Sequence, residues 1–91
     1  MIVCKYNVYR NQNTTLFLPK SSQILSVQEQ DHELQCWVLQ PDSWGVLEDY
    51  IVAVYGTGIS MRHGGHLIPI NTCIDQHGLV WHSFLHIDKM M

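Results

Sequence analysis

The sequence predicts an all-β protein: a small sandwich or barrel of about six or seven short antiparallel strands, with little or no helix. Three observations carry this expectation. Apolar and polar residues alternate at period two, "IVCKYNVY" being the clearest stretch. Turn-forming clusters ("NQN", "PDSWG", "DQHG") divide the chain at short intervals. No segment joins a helical period to helix caps; "SSQILSVQEQDHEL", with Ser22 as a cap, is the best helical alternative.

The first strand puts Ile2, Cys4, Tyr6 and Val8 on one face and Lys5 and Asn7 on the other. After "NQN", "TTLFLP" is rich in β-formers and stops at Pro19. "QILSVQEQ" places Leu25 and Val27 together, with Ser26 and Gln28 opposite. Asp31 and His32 make a tight connection to "ELQCWVLQP", where Leu34, Cys36 and Val38 share a face opposite Trp37 and Leu39, so these two strands form a hairpin. "YIVAVYG" is apolar on both faces and reads as a central strand. "LIPINTCI" is a weak strand interrupted by Pro69, and "LVWHSFLHI" is the last strand.

Residues 1–91 read as one β domain, with no repeat or linker. A chain of this length buries only roughly 60–65% of its unfolded surface and gains from oligomerisation, so a homo-oligomer is expected. Apolar residues make up 46% of it and charged residues only 14%, which argues against disorder. Five basic residues are scattered among eight acids, which disfavours duplex nucleic acid as a partner. No apolar run is long enough for a signal peptide or a membrane span. Cys4, Cys36 and Cys73 are odd in number and widely spaced, the pattern of reduced thiols in a cytosol.

Few constellations carry chemistry. His82 and His86 sit four apart in a strand, about 13 Å, too far to share a metal. His63 and His66 read as loop histidines, since zinc requires more ligands than two. Cys36 and Cys73 lie in apolar patterns where a thiol is inert. Glu48, Asp49, Asp75 and Asp88 form no acid–base pair, so no catalytic residue, metal or cofactor is expected. "YGTGISMRHGGHLIP" stands out. Its "GTG" follows an apolar strand, yet it fits neither dinucleotide nor phosphate-loop fingerprints. It reads either as a turn requiring positive φ or as an anion contact. The candidate ligand set is Lys20, Gly56, Thr57, Gly58, Arg62 and His63, with Arg62 as the fork, Thr57 its hydroxyl and Lys20 a second phosphate contact. Trp37 and Trp81 suit packing. Trp44, in a turn, suits contact with a partner protein.

Taken in order, "CKYNVY", "LPKSSQILSVQEQ", "LQCWVL", "YGTG" and "GLVWHSF" resemble a small phage-encoded family of unknown function. The shared positions are Lys5, Tyr6, Pro19, Lys20, Ile24, Leu25, Ser26, Val27, Gln28, Trp37, Gly56, Thr57, Gly58, Trp81, His82 and Phe84. Ser21-Ser22 replaces a usual Gly-Ala, and Ile59-Ser60 replaces a usual His-Pro, with His63 the nearest substitute. The resemblance implies a non-enzymatic accessory protein acting in the cytoplasm of an infected bacterial host against its defences. Two readings follow: a binding module that blocks a host or defence protein, or an oligomeric sponge for a small nucleotide-derived signal such as a cyclic nucleotide or ADP-ribose derivative. A structural or replication accessory without ligand is the third.

Overall fold

The computed structural model describes residues 1–62 and 65–87. They form seven strands and no helix: β1 (Ile2–Val8), β2 (Gln12–Pro19), β3 (Gln23–Gln30), β4 (Glu33–Gln40), β5 (Leu47–Gly56), β6 (His66–Ile74) and β7 (Val80–Ile87). One sheet has the order β1-β4-β3, the other β2-β5-β7-β6, and all pairings are antiparallel. The two sheets pack face to face as a sandwich measuring 39 × 33 × 15 Å. Between them lie Val8, Leu16, Leu18, Val27, Leu34, Cys36, Val38, Val52, Val54, Cys73 and Trp81.

The hairpin of β3 and β4 turns on two residues. Asp31 and His32 both take positive φ, 53° and 71°, the geometry whose twist matches the flanking strands. "SSQILSVQEQDHEL" is therefore strand and turn, because its apolar residues find a sheet partner rather than a helical face. Its predicted faces need correction. A bulge between Ile24 and Ser26 leaves Leu25 as an extra residue, so Ile24 and Val27 face the core while Leu25 is exposed. Pro69 does not interrupt β6 either. It pairs with Phe84 on an edge strand, where its missing N–H is tolerated, and a second bulge at Ile70 absorbs the irregularity. Trp81 packs in the core, but Trp37 sits half-buried on the outer face of β4, with the Lys5 ammonium 5.6 Å from its ring centre.

The turn after β2 carries local strain. Pro19 O accepts from Ser22 N (3.1 Å) and from Ser22 Oγ (2.6 Å), and Ser21 is held at φ 75°. Glycine adopts that conformation without the Cβ clash an L-residue suffers. Ser21→Gly is expected to raise stability by about 1 kcal/mol, read as a higher denaturant midpoint. An unchanged or lower midpoint contradicts this.

On one side the sheets are stitched edge to edge by a side chain. Asn71 of β6 uses its amide as a strand would: Oδ1 accepts from Val27 N at 2.7 Å and Nδ2 donates to Val27 O at 2.8 Å. Ser83, buried in β7, donates to Asn71 O at 2.9 Å. The edge groups of Val27 would otherwise be buried without partners.

Candidate functional site

In the segment that stands out in the sequence, residues 57–62 form a strap over the four-stranded sheet. Gly56, the last residue of β5, lies beside Trp81, whereas His66, the first of β6, lies beside Ile87. The two strand ends thus stand six residues of β7 apart, about 20 Å. The strap crosses the outer face of the sheet. Arg62 O accepts from Asn13 Nδ2 at 3.0 Å, and Asn13 Oδ1 accepts from Tyr55 OH at 3.1 Å. Ile59 and Met61 line a cleft of about 220 Å³ with Tyr55, His82 and Phe84. This cover fits the apolar character of the second half of β5 on both faces: Ala53 and Tyr55 point away from the core yet are only 0% and 6% exposed.

The strap begins with a tight turn. Ile59 N donates to Gly56 O at 3.2 Å, and Gly58 at φ 84° takes the position that glycine occupies most easily. Gly56 N donates to Asn11 Oδ1 at 3.0 Å, and a Cβ built on Gly56 would lie 3.4 Å from Trp81 Cζ3. The three "GTG" residues thus serve a turn of positive φ. Thr57 Oγ1 lies 2.7 Å from His82 Nε2, and Thr72 Oγ1 lies 3.2 Å from His82 Nδ1, so both ring nitrogens are engaged. Among the described residues both partners of that imidazole are threonine hydroxyls rather than a carboxylate.

Among the five described candidate anion contacts, the structure sets Lys20 apart from the rest. Gly56, Thr57 and Gly58 sit together, and Asn13 holds the exposed Arg62 by its carbonyl. Lys20 follows the far end of β2, where its N–H donates to Val46 O at 2.8 Å. From Asn13 to Lys20 is seven residues of extended chain, about 23 Å, so no small anion bridges Lys20 and the turn. His63 lies outside the described residues.

Trp44 lies at the same end as Lys20, 47% exposed. The terminal amine of Met1 is 3.0 Å from Asp42 Oδ2 and Ile2 pairs with Gln40, so the start of β1 sits beside the β4–β5 connection. Ile2, Trp44, Val46 and Leu47 are all exposed there, with Lys20, Asp42, Glu48 and Asp49 around them.

A polar cluster at the opposite end escapes sequence reasoning. Asp75, in the β6–β7 turn, is only 5% exposed. Its Oδ1 accepts from His77 N (2.8 Å) and Leu79 N (3.0 Å), and its Oδ2 accepts from Trp81 Nε1 (2.9 Å). The indole bond above all, then the two backbone N–H groups, holds its carboxyl below the usual carboxylate range against the opposing pull of burial. Arg10 reaches over the Trp81 ring (5.4 Å to its centre) to Glu29 at 3.4 Å and His32 O at 3.4 Å. Glu29 in turn accepts from Gln76 N at 2.9 Å, and Gln76 contacts His32 through its side chain. Three turns are thereby fastened together. Turn residues alone do not reveal this, since the partners come from positions far apart in sequence.

All three cysteines are free. Burial pushes the Cys36 thiol up to about 12 and raises that of Cys73, so neither supplies a thiolate near neutral pH. Among the described residues, no group of three or more His, Cys, Asp or Glu is placed to hold a metal ion, and no helix is long and apolar enough to cross a membrane.

No curated protein and no solved structure matches the chain. A family of domains described as of unknown function, DUF7352, matches residues 1–90. With nearly the whole chain inside that match, the protein belongs to the DUF7352 family.

Proposed function

We propose that this protein is a non-enzymatic binding module that engages another protein through the apolar end around Trp44. One observation carries the reading. Ile2, Trp44, Val46 and Leu47 are exposed at a single end of the sandwich and are rimmed by charged side chains. An apolar centre with a polar rim is the anatomy of a protein contact, and an exposed tryptophan is a frequent anchor. The resemblance of its motifs to a phage-encoded family supports a host or defence protein as the partner, met in the cytoplasm of an infected bacterium.

The reading predicts a ranking. With the protein partner recovered from infected cells, Trp44→Ala is expected to weaken binding at least tenfold by interferometry, whereas Arg62→Ala changes it little. The reverse ranking favours sequestration of a small nucleotide-derived signal. That second reading is supported by a cleft of about 310 Å³ walled by Asn11, Gly56, Thr57, Ile59, Leu79 and Trp81, where an aromatic ring and a hydroxyl stand side by side.

A further inference from the structure

The sandwich has four edge strands, and they are not protected alike. β3 carries a bulge at Leu25, and Asn71 occupies the backbone groups of Val27. β6 carries Pro69 and a bulge at Ile70. β1 carries Lys5 at its middle, on its exposed face. These are the devices by which natural sheets prevent further pairing. β2 is different. It runs for eight residues in unbroken register with β5, from Gln12 opposite Val54 to Pro19 opposite Leu47. "QNTTLFLP" contains no charged residue and no bulge, and its only device is the terminal Pro19. Among the described residues no strand pairs with its outer edge, and Phe17 beside that edge is 61% exposed.

We propose that the free edge of β2 is a homodimer interface, at which two copies pair β2 against β2 in antiparallel fashion. The two four-stranded sheets then become one sheet of eight (4 + 4) strands. Facing residues of an antiparallel pair point to the same side, so a twofold axis perpendicular to the sheet passes through a residue position, and the central positions Thr15 and Leu16 give the longest pairing. With the axis at Thr15 or Leu16, Phe17 lies against Asn13 or Thr15 of the second copy, a cross-strand neighbour that shields its ring. The charges agree with self-association. Glu48 and Asp49 stand beside Leu18 and Phe17, while the other half of β2 stands beside uncharged Ala53 and Val54. Reversing one copy sets the acids of each against the uncharged half of the other. A foreign strand would be selected by pockets or charges, and the eight residues of β2 themselves carry no charge. The proposal stands apart from the Trp44 reading, which uses the end of the sandwich rather than its side.

Sedimentation equilibrium of the intact chain at micromolar concentration tests it. The expected mass is about 21 kDa, twice the 10.5 kDa of one chain. Thr15→Lys, at an exposed position of β2, places a charge at the twofold and is expected to return the mass to that of one chain with the circular dichroism spectrum kept. Val3→Lys, at an exposed position of β1, is expected to leave the dimer intact. Hydrogen exchange of the unmodified protein supplies a readout free of mutation: amides within β2 exchange faster on dilution. A single-chain mass for the unmodified protein overturns the proposal and leaves the edge to a foreign strand. A dimer that survives Thr15→Lys, or one that Val3→Lys dissolves, overturns it as well.

Discussion

Asp75→Asn is expected to lower the thermal midpoint by roughly 10 °C or more and to flatten the acid limb of the stability profile. The carboxylate accepts two backbone N–H groups on one oxygen and the indole N–H on the other. An asparagine amide has one accepting oxygen, so one of its sides must turn N–H groups toward N–H groups. The substitution also removes the negative charge 3.9 Å from Arg10, leaving Glu29 as the acid of that corner. The sign of the pH effect follows from the direction of the shift. The folded-state carboxyl is held below its unfolded value, first by the Trp81 bond and then by the Leu79 and His77 N–H groups. Its stabilisation is complete above the unfolded value and is lost as pH falls below about 4, through the folded value. Thermal midpoints measured from neutral pH down to pH 3 check this. The native protein should lose more than the asparagine variant does, and parallel profiles would show that Asp75 carries no such linkage.

Asn71→Ala is expected to cost roughly 2–3 kcal/mol, because it strands two buried backbone groups at once. Val27 is fully buried, and the Asn71 amide satisfies both its N–H and its carbonyl. The loss should be local before it is global. Hydrogen exchange of the Val27 amide should accelerate far more than that of residues in β5, the strand between β2 and β7. A Val27 amide still protected in the alanine variant would mean that the two sheet edges are held together by other contacts.

Much of this architecture was legible in the sequence for a definite reason. Period-two alternation reports which strands are half-buried, and Leu34, Cys36 and Val38 share a buried face as that period requires. Asp31 and His32 read as a tight connection because two apolar runs flank two turn-compatible residues. The apolar content of "YIVAVYG" likewise announced a central strand. Its cause was hidden, since the outer face of the second half of β5 is covered by the chain's own strap. Leu25 shows where the period fails: a bulge inserts one residue and inverts the faces on either side of it, and only the pairing with β4 reveals it. Lys20 stands apart from the other described members of the candidate anion set for a related reason. Lys20 and Gly56 are attached to opposite ends of two paired strands, a distance that strand order alone determines. Asp75 was visible as a turn residue, but its task arises from Trp81, six positions on, and from Arg10 in another turn.

The central claim is that this chain acts by contact with a protein at the Trp44 end rather than by holding a small molecule in its glycine turn. Native mass spectrometry of the protein purified from infected, defence-active cells, before and after denaturation, tests it most directly. The account predicts a complex whose added mass is a protein, present with the native chain and with Arg62→Ala, and absent with Trp44→Ala. A retained small molecule, released on denaturation and lost with Arg62→Ala, would contradict it.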